Sequence, residues 1–302
     1  MFSGTILGDM MKNYNAAIFL LSSRTSLLPT CLHYLNKNLN KEKYPIHVFH
    51  FDDIYSSEYI ETLKESLGFK DIHFHEIPYG IPEHIKEKDL YYNRNYLPYV
   101  KNYFPKSRIG YLHMEYFVSN FFKLKEIENY DYVVRIDDDS YFREDLGSLD
   151  TFLDEISKKE CKFGSAHFWN HVGENTLQTR ENLWEFTNEF VEKFNVTVKN
   201  KRLNDAIENK NEDLFHRLGW SAGNFNLYKN DMFKESLWIR WIELINERGY
   251  IYKNRWGDQE VIGLYYYMTR EENPYNFNLK TKNLYSDKLP NCQEAPSTRR
   301  KT

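Results

Sequence analysis

One stretch, Tyr130-Asp131-Tyr132-Val133-Val134-Arg135-Ile136-Asp137-Asp138-Asp139-Ser140, constrains the fold more than any other. Its β-branched residues Val133, Val134 and Ile136 predict a strand buried on both faces, as in a sheet covered by helices on either side. Three carboxylates in a row follow at once. They fall at the strand's carboxyl end, where open α/β sheets place their ligands. Adjacent anions repel, so the run is favourable chiefly where a cation sits among them. Hard divalent ions such as Mn²⁺ or Mg²⁺ take carboxylate oxygens and bridge them to phosphates. The run points to a metal-dependent site for a diphosphate-bearing substrate. The plain alternative is a solvated acidic turn ending in Ser140.

The segments before this strand alternate between the two periods. Ala16 to Leu21, Ile46 to Phe51 and Ile72 to Ile77 are strand-like, and Leu27 to Leu39 and Ser57 to Leu67 are helix-like, with Ser56 or Ser57 as the second helix's cap. That order predicts a parallel sheet with helices on its faces. Glu83 to Phe104 is polar and Tyr-rich and reads as an insertion. Met114, Phe117, Phe121 and Phe122 give Gly110 to Lys125 a helical spacing. Further on, Leu149 to Ser157, Glu181 to Phe194, Phe233 to Arg248 and Asp258 to Met268 predict helices, and Phe163 to Phe168 a strand. Gly249 supplies a helix stop. The simplest division is one domain over residues 1–287 and a loose polar tail over 288–302.

Composition removes several classes. Hydrophobic residues form 41% of the 302-residue chain and net charge is −4, which excludes a disordered chain and leaves no basic face for nucleic acid. The 24 Tyr and 21 Phe suit sugar or base stacking at a few positions and core packing at most. Cys31, Cys161 and Cys292 lie too far apart for a metal motif or a dense disulfide framework, though one pair could bridge. The best apolar run, Ala16 to Leu21, is too short to span a membrane and lacks signal-peptide flanks. The chain therefore reads as soluble. Asn195-Val196-Thr197 fits a glycosylation sequon, a pattern that also arises by chance. No P-loop, dinucleotide-binding glycine loop or nucleophile elbow is present, and the pairs His47/His50 and His73/His75 have no zinc-like spacing.

Two further clusters carry chemistry. In Asn254-Arg255-Trp256-Gly257-Asp258-Gln259-Glu260, two carboxylates stand at a predicted helix start, which favours their ionised form. One of them could orient or deprotonate an acceptor hydroxyl; an ordinary helix cap with Trp256 in the core is the simpler reading. Gly219-Trp220-Ser221-Ala222-Gly223-Asn224-Phe225-Asn226 suits close approach of a ligand, or a plain turn.

Taken in order, these pieces resemble the fungal-type α-1,2-mannosyltransferases, glycosyltransferase family 15, from about Ala16 to Met268. Ile109-Gly110-Tyr111-Leu112-His113-Met114 is similar to the family's I-x-Y-R-H-M, and Tyr130 to Asp139 to its Y-D-Y-Y-W-R-V-E-P-D. Thr176 to Glu189 resembles its T-x-P-T-L-W-E segment, Asn224-Phe225-Asn226 its N-F-E, and Arg255-Trp256-Gly257-Asp258 its R-W-G-D. The resemblance implies a GT-A fold, an α/β Rossmann-like mixed sheet with helices on both faces. It also implies GDP-mannose as donor, Mn²⁺ as cofactor and retention of α configuration. Asp137 falls on the family's metal-binding glutamate, Asp139 on its motif aspartate, and Asp258 on an active-site aspartate. Asp138 replaces a proline, which makes the run resemble the D-x-D of other nucleotide-sugar enzymes.

The implied reaction is transfer of a hexose from a nucleotide sugar to a sugar hydroxyl. Asp137 and Asp139 would hold the metal; Asn226 and Asp258 would carry the chemistry. Arg24, Asp52, Arg135, Asp138, His113 and Trp256 would line the donor and acceptor. Departures from the family bear on this. Asn226 stands where the family has its proposed nucleophilic glutamate, and a carboxamide cannot form a glycosyl ester. Front-face attack then becomes the more attractive route. Leu112 replaces a family arginine. The late histidine ligand is missing, and Asp287 is its candidate substitute. The family's membrane anchor has no counterpart either, which leaves a luminal domain without its anchor or a cytosolic relative. Three other readings follow: a silent carbohydrate- or nucleotide-binding protein on the same fold, a transferase using another nucleotide sugar, and an inverting enzyme with Asp258 or Glu260 as base.

Overall fold

A computed structural model describes residues 13–51, 54–78, 80–91, 108–142, 144–169, 180–279 and 282–283. The strands, in chain order, are β1 (Ala16–Leu21), β2 (Ile46–Phe51), β3 (Ile72–Ile77), β4 (Tyr132–Ile136), β5 (Ser140–Tyr141), β6 (Phe163–Ser165), β7 (Phe168–Trp169), β8 (Trp220–Ser221), β9 (Phe225–Lys229), β10 (Tyr275–Asn276) and β11 (Lys282–Asn283). Seven of them form one sheet in the order β10-β6-β9-β4-β1-β2-β3. The β4-β1-β2-β3 half is parallel, and β9 runs antiparallel between β4 and β6. The sheet is thus mixed. Every residue of β2 and β4 is buried, as a strand covered on both faces requires.

The helices are α1 (Leu28–Leu35), α2 (Ser57–Leu67), α3 (Arg108–Asn120), α4 (Leu149–Lys158), α5 (Leu183–Lys193), α6 (Lys201–Glu208), α7 (Glu212–His216), α8 (Ser236–Arg248), α9 (Tyr250–Asn254) and α10 (Asp258–Thr269). Local chemistry sets their ends. Ser56 caps α2 by accepting from Tyr59 N at 3.2 Å, and left-handed Gly68 ends it. Gly249, at φ 69°, ends α8 as expected.

Some expected elements are corrected. The helix expected over Leu27 to Leu39 stops at Leu35 and continues as a π-turn over Asn36–Asn40. Three asparagines divert that backbone: Asn36 and Asn40 accept from Glu42 N and Tyr44 N at 2.8 and 3.0 Å, and Asn38 donates to Phe142 O. Phe163 to Phe168 is two strands in different sheets rather than one. Gly219 to Asn226 is a turn only at its centre. Its ends enter β8 and the central strand β9. Helices α6 and α7 are short and mostly polar and were not expected from the sequence, although Leu203, Ala206 and Ile207 give α6 an apolar stripe; Asn200 and Asn211 cap them. Residues 92–107 and the tail over 288–302 lie outside the described residues.

Most aromatic residues go to the core. Trp238, Trp241 and Trp256 are fully buried, and all of α10 except Gln259 is buried. Several polar tips find partners: Trp241 and Trp256 donate to Val261 O and Glu181 O, and Tyr265 and Tyr267 donate to Glu235 and Gly219 O. Cys31 and Cys161 are buried free thiols, and Cys292 is outside the described residues. No helix among the described residues is long and apolar enough to cross a membrane. Asn195 of the sequon is exposed just beyond α5.

Two stability predictions follow from the packing. A Cβ on Gly164 would lie 2.6 Å from Phe277 and 2.9 Å from Ile156, so Gly164→Ala should cost about 1–3 kcal/mol in urea unfolding. Burial, with His75 and His73 alongside, pushes His47 down to about 4. Its neutral form is the one the fold accepts. Stability from this residue is therefore complete above the free-histidine value near 6.5 and is lost as pH falls toward 4. Thermal unfolding from neutral pH to about 5 should fall less steeply in His47→Phe than in the unsubstituted protein.

Candidate active site

The chain leaves β4 at Ile136, and Ser140 N donates to Asp137 O at 3.0 Å, closing a tight turn. The turn sends the three carboxylates in different directions. Asp138 points inward and is buried. It accepts from Ser22 Oγ at 2.8 Å and Ser23 N at 3.3 Å, and pairs with Arg24. Arg24 also pairs with Asp139 at 2.8 Å. The carboxyl ends of β1 and β4 are tied together through these contacts. Asp137 stays the most open of the three, with its side chain 30% exposed.

Arg135 organises the next layer. It is buried in β4, 3% exposed, and its Nη2 lies 2.8 Å from Asp137 Oδ1. Its Nη1 lies 2.6 Å from Asp258 Oδ2 on α10. Space for this guanidinium depends on Gly223, where an added Cβ would sit 3.1 Å from Nη1 and 2.6 Å from the end of the Gln259 amide. Gln259 is oriented by its surroundings: its amide nitrogen donates to Ser221 O at 2.9 Å and its oxygen accepts from Gly223 N at 3.2 Å. Behind Asp258 stands Glu115 of α3, whose Oε2 accepts from Asp258 N at 2.6 Å.

Electrostatics explain the arrangement. Burial drives the Asp137 carboxyl up to about 7; Arg135 opposes this, and Asp139, Asp258 and Asp138 reinforce it. Asp139 is also raised, by burial against the pull of Arg24. Arg135 is held firmly charged, because Asp137 and Asp258 outweigh its desolvation. The rim thus carries more acid than its two arginines neutralise, and an added cation would relieve it.

Asn226 is fully buried in β9, opposite both Arg135 and Ser165. Three oxygens surround one end of its amide: Ser165 Oγ at 2.9 Å, Ala222 O at 3.0 Å and Phe225 O at 3.1 Å. That end is therefore the nitrogen.

The structure gathers Arg24 with Asp138 and Asp139, and Arg135 with Asp137 and Asp258, around one turn; Asn226 lies opposite Arg135 in β9 with its amide turned to Ser165, Ala222 and Phe225. His113 is buried elsewhere on α3, 2.9 Å from the Tyr252 hydroxyl. Trp256 is buried against Phe186 and Tyr250. Asp52 and Asp287 lie outside the described residues. Sequence reasoning missed Glu115, Ser22 as a partner of Asp138, and the Gln259–Gly223 contact. Glu115 had a signal: it is the lone acid in the apolar run Leu112 to Val118.

Could these residues hold a divalent ion? Asp137 and Asp139 each have one oxygen engaged by a guanidinium, and both are hard donors at one rim. Among the described residues no three metal-ligating side chains stand together. That donor set fits a hard ion taking its remaining ligands from phosphate and water, not an all-protein cage.

Solved structures share this architecture. Ktr4p from S. cerevisiae, a mannosyltransferase solved in complex with GDP, superposes with a TM-score of 0.72 at 21% identity, over 91% of this chain and 73% of that one. Core-mannan synthase A (CmsA/Ktr4) from Aspergillus fumigatus, in its Mn/GDP form, gives 0.67 at 17% identity, over 84% and 70%. Both likenesses fix the fold as GT-A. In sequence, the O-glycoside alpha-1,2-mannosyltransferase omh1 of Schizosaccharomyces pombe is 25% identical over 83% of this chain, which spans 63% of that relative's length. The family model described as glycolipid 2-alpha-mannosyltransferase matches residues 5–301. With nearly its whole length covered by that model, the chain belongs to the glycolipid 2-alpha-mannosyltransferase family.

Proposed function

We propose that this chain is a metal-dependent α-1,2-mannosyltransferase that moves mannose from GDP-mannose to a sugar hydroxyl with retention. The observation that carries the reading is the placement of Asp137 and Asp139 at the carboxyl end of β4, fixed by Arg135 and Arg24. Family membership supports the sugar and the linkage, and the GDP and Mn/GDP forms of the two fungal structures support the donor and the ion. Asp137 and Asp139 would hold Mn²⁺ or Mg²⁺. When bound there, the ion supplies charge neutralisation for the departing nucleoside diphosphate.

The chain's own residues do the rest. Asp138 neutralises half of Arg24 and keeps Ser22-Ser23-Arg24 at the donor side of the rim. Arg135 fixes the Asp137 carboxylate, and Asp258, itself fully buried, acts on the rim through Arg135. Asn226 offers no carboxylate. The retaining route that suits it is front-face attack, with the acceptor hydroxyl entering on the side the diphosphate leaves. The same residue favours the second reading, a silent GDP-sugar-binding protein, because its amide is fully committed to three oxygens.

Calorimetry with GDP and Mn²⁺ tests the site. Asp139→Asn keeps the shape and removes a charge, so binding should weaken by about tenfold or more while the melting profile is kept. Unchanged affinity would overturn the metal assignment. Transfer from GDP-mannose to a mannoside, with the product's anomeric configuration read by NMR, separates a retaining enzyme from a silent binder or an inverting one. Asn226→Glu should not create a working nucleophile. It would turn a carboxylate toward two carbonyl oxygens and destabilise the fold by about 1–3 kcal/mol, read as a lower melting temperature without a gain in rate.

A further inference from the structure

Glu115 is a buried acid that donor binding leaves without a task. It is 1% exposed on α3, and its Oε2 accepts the Asp258 N–H at the start of α10. Asp258 gives Oδ2 to Arg135, while its Oδ1 is buried with no N–H or hydroxyl donor among the described residues. Two buried acids are therefore neighbours, joined by the Asp258 N–H and both sealed from water.

The groups around them are accounted for. Arg135 serves Asp137 and Asp258, and Arg180 serves Glu260. Glu260 approaches from α10, where its Oε2 comes within 2.4 Å of the point a Gly257 Cβ would occupy, a point 3.5 Å from Glu115 Oε2. Tyr111 adjoins Glu115 from the same helix, under the Arg255 guanidinium stacked 4.6 Å above its ring. Tyr228 faces Arg135 and Asp258 from β9. No lysine or arginine pairs with Glu115 among the described residues. Two neighbouring buried acids that share only the Arg135 guanidinium, which is bound to Asp258 and also serves Asp137, do not both stay ionised in such a place. Burial and the Asp258 charge hold the Glu115 carboxyl well above the usual range, against the pull of Tyr111 and the Asp258 N–H.

We propose that Glu115 is a positioning residue: it stays protonated at neutral pH, donates its O–H to Asp258 Oδ1, and so holds Asp258 against Arg135. The contact has two points, because Glu115 also accepts from Asp258 N. A glutamine side chain can make both bonds; a leucine can make neither. The consequence for catalysis rests on the transferase reading above, but the proton itself does not.

The test uses the whole chain. At mildly alkaline pH, where exposed carboxyls are ionised, infrared spectra should show a protonated-carboxyl carbonyl band that vanishes in Glu115→Gln. Mn²⁺-dependent GDP binding should stay within about threefold in Glu115→Gln and weaken by about tenfold or more in Glu115→Leu. Melting temperature should also depend less on pH in Glu115→Gln. A group raised in the fold loses stability as pH rises above its free value, and the amide removes that loss. A band that persists in Glu115→Gln, or a Gln variant as impaired as the Leu variant, overturns the proposal. Should Glu115→Leu fail to fold, the spectra and the Gln variant decide alone. If the unsubstituted protein binds no GDP, the donor reading fails while the infrared result still stands or falls by itself.

Discussion

A guanidinium in the middle of a buried β-strand is tolerable only when carboxylates reach it, because an unpaired buried charge costs several kcal/mol, on the order of 3–5 when one partner is removed. Arg135 meets that condition from two directions. Asp137 comes from its own strand, two residues on, and Asp258 from the first turn of α10. The second contact joins distant parts of the chain: a parallel-sheet strand near its middle and a helix near its end. Helix α10 is buried almost all round, so it cannot slide without breaking the aromatic core. The rim carboxylate is consequently held by two of the protein's most deeply buried elements.

Much of this was legible where one short segment carried its own explanation. An apolar β-branched run reads as a buried strand from its own residues, and β4 is that strand. The helix starting at Asp258 was legible for the same reason. What could not be read depends on partners far away in sequence. Phe225-Asn226-Leu227-Tyr228-Lys229 alternates apolar and polar residues too briefly to outweigh the glycine-rich turn before it, yet it becomes a central strand because β4 and β6 flank it. Ser22 grips Asp138, 116 residues away. Glu115 sat one residue beyond the recognisable helix motif, and its meaning comes only from Asp258.

Asn226 shows how one substitution reaches beyond its own side chain. A carboxylate at this point of β9 would need donors around it. The chain instead surrounds the position with the Ser165 hydroxyl and two carbonyl oxygens, to which an N–H₂ group can donate. The pocket thus suits an amide. Chemistry that requires a covalent glycosyl ester is hard to reconcile with it. Chemistry that relies on charge placement is not.

The three aspartates can now be separated by what holds them. Asp138 is the most deeply placed and takes Ser22, Ser23 and Arg24, so its charge is spent inside the protein. It anchors the turn and leaves the other two at the rim. Asp139 shares Arg24, and Asp137 leans on Arg135, so both are fixed in direction but only partly neutralised. Were all three equally solvated, the turn would be an ordinary acidic loop. Were all three fully paired, nothing would remain to attract a cation. One buried anchor flanked by two under-neutralised carboxylates is the arrangement that keeps a rigid backbone and a residual negative field together, and the field is useful only because the backbone cannot relax away from it.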